Sequence, residues 1–502
     1  MTTAAAFARH ELRLAWREWL SLMTAGKRSR EALALAVGAL FLAGLLAMAY
    51  VLVAAPLRTG VTTTPATLVL FTGLLGLSAS LMLAQSIESV TRVFYARADL
   101  DLILSSPANA ATLFAVRVLA IVLSSALMAL GLAAPFALVA AVIDGPRWFA
   151  VIPTIFALAA LSTSLAMVVT VGLFRVVGAR RTRLIAQVVA AMVGAAFLIG
   201  LQIAAILSFG ELSRFSMLTS SVLITSAPAP CSVVWLPARA ALGDPAALVA
   251  LVAASLAVLA MAVAFVAPRF ADVATRAASI SEHDEARGRT GTIDAGHPDA
   301  ALGAKEWRLI ARDPWLVSQT LMQVLYLVPP ALLLWQSYGE STGALVVLAP
   351  VLVMAVGQLA GGLAWLAISG EDAPDLVATA PILPRAVTIA KVRSVLTIVL
   401  AVVAPFLVGL TLADAWVGAV TAVAVLVSAV SAVAIQLWFR TQARRSAFRR
   451  RQTASRVATF AEAFSSISWA GAAALGAAQH WAALVFVLLA MSVLAVARAL
   501  KA

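Results

Sequence analysis

Charged residues are scarce in this chain. They make up 12% of its 502 residues, whereas 63% are hydrophobic, and the mean hydropathy is +1.00. A water-soluble domain carries about a quarter charged residues, so that class is excluded. Alternating strands of roughly ten residues, the pattern of an outer-membrane barrel, are absent too. Helices are the remaining way to satisfy the backbone in lipid, and we expect an all-α polytopic membrane protein.

Cysteine is nearly absent, with one residue in the chain, and two recognisable signals are missing. The single cysteine, Cys231, cannot form an internal disulfide or a cysteine-rich metal site. No cleavable signal peptide is evident, because the first apolar run begins after Arg30 and is too long for one. The phosphate-binding sequence G-x-x-x-x-G-K-S/T does not occur. We therefore expect no ATPase, no catalytic residue, no metal and no cofactor in this chain.

Apolar runs of roughly 20 residues, enough to cross the hydrocarbon core, recur along the chain. They predict about twelve transmembrane helices, six in each half. The first half has 33–56, 65–87, 113–143, 148–174, 184–209 and 246–267. The second half has 315–337, 343–369, 392–412, 415–438, 457–478 and 481–499. Only one carboxylate, Glu462, lies inside a predicted span. We expect it to pair with a neighbouring helix or to snorkel, with a proton site as the alternative.

The positive charge follows the span map. Lysine and arginine number 36 against 23 acidic residues, a net charge of +13. Basic clusters occupy 9–30, 175–183 and 440–451 on one side of the map. The opposite side keeps four isolated arginines: Arg58, Arg147, Arg214 and Arg239. This asymmetry predicts a bacterial inner-membrane protein with both termini cytoplasmic. Because the bases lie in loops bordered by spans, we expect no nucleic-acid binding.

The two halves repeat one another. The segment 10–18 matches 305–313, with Glu11 at the position of Glu306. Each acidic loop is followed by a proline and, ten residues later, by a base, Arg117 or Lys391. Ala-Pro-Phe recurs at 134–136 and 404–406, each nine residues before an aspartate that ends the span. Six spans separate the copies, so the halves are parallel repeats. We predict a first half at 1–267, a polar flexible linker at 268–303 and a second half at 304–502.

An amphipathic helix precedes the first half. Its basic and aromatic residues favour a position in the headgroup region, where membrane lipids are the partner. These interfacial residues are Arg9, Arg13, Trp16, Arg17 and Trp19. The segment 305–315 is the shorter counterpart before the second half.

Two cytoplasmic loops, 88–112 and 370–391, carry carboxylates although such loops are ordinarily basic. Each has acidic residues, a short apolar stretch and a proline, which suggests docking onto a partner; a solvated connection is the alternative. The candidate docking residues are Asp99, Asp101, Leu102, Ser106, Pro107, Asp372, Asp375, Leu376 and Pro381. We expect the two prolines to terminate the contact helices. Metal binding is disfavoured because neither loop offers histidine or cysteine at a defined spacing.

This order of elements resembles the permease subunit of type-2 ABC exporters. The resemblance rests on the amphipathic helix, two spans, the loop Asp99–Pro107 and four further spans, and on 235–239 before span six. It covers the chain twice, as a tandem fusion. It implies a separate ATPase, two copies per chain, that carries the ATP and Mg and docks on the acidic loops. The substrate would be a hydrophobic or amphipathic molecule moved out of the cytoplasm or inner leaflet. The second loop departs from the pattern at Ala373 and Ala380.

Two other classes remain as alternatives. A twelve-span secondary transporter would ordinarily bury midplane charges, which are missing here. A membrane-embedded lipid-linked glycosyltransferase would need an external acidic motif near the first spans, and 57–64 holds no carboxylate. Inside the spans, Pro135 and Pro405 are expected to kink the bundle and are possible gating points.

Overall fold

The computed structural model describes residues 31–58, 61–95, 110–209, 221–269, 298–312, 342–369, 381–439 and 456–499, with isolated positions between 321 and 332 and at 377 and 379. All regular structure in these ranges is helical. The chain forms two compact units. One is Met1–Leu201 with Ser213–Thr290; the other is Gln202–Leu212 with Gly291–Ala502.

Fourteen α-helices can be numbered in the described ranges. Unit 1 contains α1 (Glu31–Arg58), α2 (Pro65–Tyr95), α3 (Ala110–Asp144), α4 (Val151–Val177), α5 (Ala179–Phe209, whose last residues belong to unit 2), α6 (Ser221–Thr225), α7 (Leu236–Ala241) and α8 (Pro245–Val266). Unit 2 contains α9 (Pro298–Arg312), α10 (Thr342–Ser369), α11 (Pro384–Ala413), α12 (Ala415–Trp438), α13 (Arg456–Ala477) and α14 (Ala483–Ala499). Short 3-10 turns occupy Pro146–Ala150, Val233–Trp235 and Ala267–Arg269.

These helices confirm the all-α membrane-protein class. Eight of the described helical stretches are long and apolar enough to cross a membrane. Two shorter apolar stretches, Leu42–Ala55 and Ala483–Ala499, add to them. Each predicted span overlaps a helix, except that 315–337 lies mostly outside the described residues. Helix α9 begins at Pro298, inside the segment predicted as a linker.

In unit 1, helix α4 is the central element. It packs against α2, α3 and α8, and it is the most buried of this unit's candidate spans. Its buried face is made largely of small residues, such as Ala159, Ala160 and Ser164. Small side chains let helix backbones approach closely, which is how helices associate in lipid. Helix α3 lies at the periphery and exposes Met128, Leu132 and Val142.

In unit 2, helices α10 and α12 form the centre. They pack on each other, and both contact α11 and α13. Their core contains Leu352, Val356, Val425 and Ala429, all essentially inaccessible to solvent. Helix α9 packs against α11 and, less extensively, against α10.

Several helices are longer than a membrane requires. Helices α2, α3 and α11 have 31, 35 and 30 residues, or about 46, 52 and 45 Å at 1.5 Å per residue. The hydrocarbon core is about 30 Å thick. Standing upright in a bilayer, helices of this length would reach beyond the hydrocarbon core. Helices α2 and α3 border the first acidic loop, and α11 follows the second.

Candidate functional site

Most of the predicted docking and interfacial residues lie outside the described residues. This holds for Arg9–Trp19, for Asp99–Pro107 and for Asp372–Leu376. Their assignments stay predictions. Pro381 is described: it lies exposed in a bend, three residues before α11 begins at Pro384. Position 379 is helical, so the chain leaves a helical conformation close to this proline.

A buried charge cluster lies at the start of helix α11. The carboxylate of Glu306 on α9 is fully buried, and its Oε1 lies 3.4 Å from Lys391 Nζ and 3.6 Å from Lys305 Nζ. Lys391, a residue of α11, also donates a hydrogen bond to the carbonyl of Ala367 on α10. The cluster therefore joins three helices. Sequence reasoning aligned Glu306 and Lys391 with residues of the first half but did not pair them with each other.

A second polar group lies among α10, α12 and α13. Gln436 Nε2 donates a hydrogen bond to Glu462 Oε2 at 2.7 Å, and both side chains are buried. The carboxylate of Glu462 occupies the place where a side chain on Gly361 would begin. Helix pairing was one of the two roles expected for Glu462, and this geometry confirms it. The Gly357-x-x-x-Gly361 spacing on α10 is the sequence feature that could have indicated a close helix contact here.

Serine and tryptophan side chains extend this polar contact along the same helices. Ser428 Oγ donates to the carbonyl of Val353 at 3.3 Å, and Trp469 Nε1 donates to Ser431 Oγ at 3.1 Å. Hydrogen bonds between helices in lipid stabilise association by about 0.6 to 2 kcal/mol each. These hydrogen bonds link α12 to both α10 and α13.

In unit 1, charged and aromatic residues form a compact cap at the C-terminal end of α3, the end away from the first acidic loop. Asp144 accepts hydrogen bonds from Arg147 and from Trp148 Nε1, and Arg147 also donates to the carbonyl of Val61 at 3.0 Å. Gly243 lies directly against Arg147: a Cβ there would be 2.8 Å from Arg147 Cβ. Gly243 has a φ of +93°, a conformation that favours glycine. The cap thus ties the α1–α2 connection to the α3–α4 connection.

An aspartate caps the following helix in both units. Asp244 Oδ1 accepts from the backbone N–H groups of Ala246 and Ala247 at the start of α8. The hydrogen bond from Arg239 to the same carboxylate is the main cause that lowers the pKa of Asp244, and the backbone donors add to it. Asp414 caps α12 in the same way, accepting from Trp416 and Val417. Carboxylates at a helix N-terminus also interact favourably with the helix dipole.

Pro135 and Pro405 both lie inside long helices, α3 and α11. Both helices continue through the proline, and the gating role stays a prediction. Among the described residues, no group of three histidine, cysteine or carboxylate side chains could hold a metal ion. No protein-family model, curated protein or solved structure matches the chain.

Proposed function

We propose that this chain is the transmembrane permease subunit of an ATP-driven exporter, working with a separate ATPase that binds ATP and Mg. It would move a hydrophobic or amphipathic substrate out of the cytoplasm or the inner leaflet. The proposal places the chain in the bacterial inner membrane with about twelve spans, and puts both termini and both acidic loops in the cytoplasm. The class is inferred from the resemblance to type-2 ABC permeases.

The observation that carries the proposal is the length of the helices at the acidic loops. Helices α2, α3 and α11 are longer than the hydrocarbon thickness by about 15 to 22 Å. A helix that continues beyond the core is a stiff support for the loop at its end. Exposed polar residues on α2, Glu88 and Arg92, form an ion pair near the first loop, as expected for a segment outside the hydrocarbon. Such supports suit a partner that pushes on the loops.

Matching packing in the two units supports the tandem repeat. In unit 1, α2, α3 and α4 pack on one another; in unit 2, α10, α11 and α12 do the same. The third span of each half contains the repeated proline, and Asp144 or Asp414 closes it. Because one chain would supply both halves, we expect one copy of the chain with two ATPase subunits.

Co-purification tests the function. The chain would be isolated from its native membrane in a mild detergent, and its partners weighed by native mass spectrometry. We expect one chain with two copies of an ATPase. Two copies of the chain per two ATPases would contradict the fused-permease proposal, and purification without any ATPase after chemical cross-linking would exclude the exporter class.

One observation favours a second candidate, a secondary transporter. Glu462 is a buried ionisable residue inside a membrane helix, and such residues often belong to proton pathways. Its hydrogen bond to Gln436 and its contact with Gly361 instead suit a structural role. If Glu462→Gln abolished uptake driven by a proton gradient in liposomes without ATP, the secondary-transporter assignment would replace ours.

A further inference from the structure

Glu306 is an unusual residue because its buried charge is compensated by two neighbouring lysines and by no hydrogen bond in the described part of the chain. The side chain has no exposed surface, and neither carboxylate oxygen accepts a hydrogen bond within the described part of the chain. An ionised carboxylate in such a place is costly unless a cation lies close to it. Two cations do: Lys391 Nζ at 3.4 Å and Lys305 Nζ at 3.6 Å. Lys391 is the more buried of the two, so its interaction with Glu306 is the less screened.

Lys391 connects this carboxylate to two further helices. It is the eighth residue of α11, and its ammonium group donates to the carbonyl of Ala367. Ala367 lies in the last turn of α10, where carbonyl groups have no partner within the helix. One side chain therefore holds α9 to the end of α10 and to the beginning of α11. These are the two helices that border residues 370–383.

We propose that Glu306 and Lys391 are positioning residues that fix helix α9 to the base of the second acidic loop. A movement of that loop would displace α10 and α11 relative to each other, and α9 would move with them. The functional consequence, that the pair helps to transmit the action of the ATPase, rests on the proposed exporter function. Its geometric part, the fixed position of α9, does not depend on that function.

The internal repeat provides independent support. Glu306 corresponds to Glu11 in the first half, and Lys391 corresponds to Arg117. The base differs between lysine and arginine, while an acidic and a basic residue are kept at both places. If the ion pair is required, both halves should keep an acidic residue at one position and a basic residue at the other. Glu11 lies outside the described residues, so this correspondence is one of sequence.

Distance measurements test the positioning role. The only native cysteine, Cys231, is exposed and can be replaced by serine, after which spin labels are attached to cysteines placed at exposed Ala304 on α9 and Ile389 on α11. We expect a narrow distance distribution in the full-length protein in nanodiscs. Lys391→Met should broaden it, whereas Lys391→Arg should leave it narrow, because arginine keeps the positive charge and the donor groups that face Glu306 and the Ala367 carbonyl.

The matched control keeps the fold while removing the charges. Glu306→Gln with Lys391→Met leaves no buried ion unpaired. If the single variant Lys391→Met does not fold to a usable amount, this double variant takes its place in the distance measurement. A distribution as narrow as that of the parent in either variant would show that the pair does not position α9. A broad distribution in Lys391→Arg would equally overturn the proposal, because this variant keeps the charge and the donor groups of the pair.

The functional consequence has its own measurement. With the native ATPase bound, Lys391→Met should change the ATP hydrolysis rate of the complex about 2- to 30-fold without lowering the amount of ATPase bound, the range expected for residues that carry coupling between sites. An unchanged rate beside a broadened distance distribution would remove the transmission role. If the parent protein binds no ATPase, the exporter function fails, and the distance data still decide the position of α9.

Discussion

Two glycines on helix α10 allow polar side chains to enter the centre of unit 2. A Cβ at Gly361 would overlap the carboxylate of Glu462, and one at Gly357 would overlap Ser466 Oγ. Glycine is a poor helix former, costing about 1 kcal/mol relative to alanine in a helix interior. Close approach of α13 to α10 compensates for this cost, because the carboxylate of Glu462 reaches the buried amide of Gln436.

Replacing Gly361 by alanine should therefore destabilise unit 2. The added methyl group must displace Glu462 from its hydrogen bond with Gln436, and forced repacking of a filled core costs about 1–3 kcal/mol. Thermal unfolding in detergent measures the loss. Gly172→Ala is the matched control, because nothing lies within 4 Å of a Cβ at that helical glycine.

The same residue pair gives a stricter test. Gly361→Ala and Glu462→Ala should not be additive, because the second change removes the group with which the methyl collides. The double variant should unfold at a higher temperature than the sum of the two losses predicts. Additive losses would mean that the two residues do not compete for the same space.

A glutamine holds a turn that usually contains glycine. Helix α13 ends with N–H of His480 bonded to the carbonyl of Leu475 and N–H of Gln479 bonded to that of Gly476, the pattern of a Schellman motif. Gln479 has a φ of +56°. A left-handed conformation costs a side-chain-bearing residue about 1–2 kcal/mol.

Gln479→Gly should for this reason raise the stability of the α13–α14 connection. We expect a gain of up to about 1 kcal/mol, reduced by the greater freedom of glycine in the unfolded chain. Thermal unfolding or protection of α13 amides from hydrogen exchange measures the change. Gln479→Ala serves as the comparison, since alanine keeps the strained φ; equal effects of both substitutions would show that φ is not the cause.

At the scale of elements, the proposed function requires each acidic loop to move together with the long helices that border it. Helices α2 and α3 border Asp101, and α10 and α11 border Asp375. Extended helices resist bending over their own length, so a force on a loop would be passed to the membrane spans. The acidic charge would determine which partner surface binds there.

Reversing Asp101 and Asp375 together to lysine should weaken binding of the ATPase or uncouple its hydrolysis from transport. Like charges across a docking surface cost about 1–3 kcal/mol or more, about 5- to 150-fold in affinity. Asp101 alone should matter more than Asp375 alone, because the first loop keeps the fuller motif. Binding is measured by pull-down of the ATPase and by its hydrolysis rate.

A control in the predicted linker makes the result specific. Reversal of Asp284 and Glu285 should leave binding and hydrolysis unchanged, and surface expression of both variants should match the parent, since exposed substitutions change stability by only about 0.5 kcal/mol. If the loop variant bound the ATPase and supported hydrolysis like the parent, the loops would only connect helices and would not form the docking site. Failure of the linker control instead would move the docking site into 268–303.

At the scale of the whole molecule, hydropathy predicted the helices well, whereas specific contacts needed the structure. Runs of apolar residues determine where a chain can cross lipid, so most predicted spans coincide with helices. Helix ends were less accurate: α2 continues to Tyr95 and α11 begins at Pro384, because polar residues near a membrane end a hydropathy run without ending a helix.

Contacts between distant residues were the part that sequence could not supply. Nothing local marks Glu306 as buried, since the residues beside it, Lys305 and Trp307, are partly exposed on the same helix. Its burial follows from where α9 packs on α11. Glu462 was recognisable as a lone acidic residue in an apolar span, but its hydrogen-bond partner Gln436 was not, because the two belong to different helices.

The orientation of the whole chain is the last expectation and the most general. Lysine and arginine concentrate at 9–30, 175–183 and 440–451, and positive loops stay on the cytoplasmic side during insertion. A reporter fused after Ala502, or inserted within 285–295, should thus be cytoplasmic, whereas one inserted near Thr219 should be external. Activity of paired phosphatase and fluorescent-protein reporters distinguishes the two sides. A cytoplasmic signal near Thr219 would mean that the number of spans before that point is even, and the twelve-span arrangement would have to be abandoned.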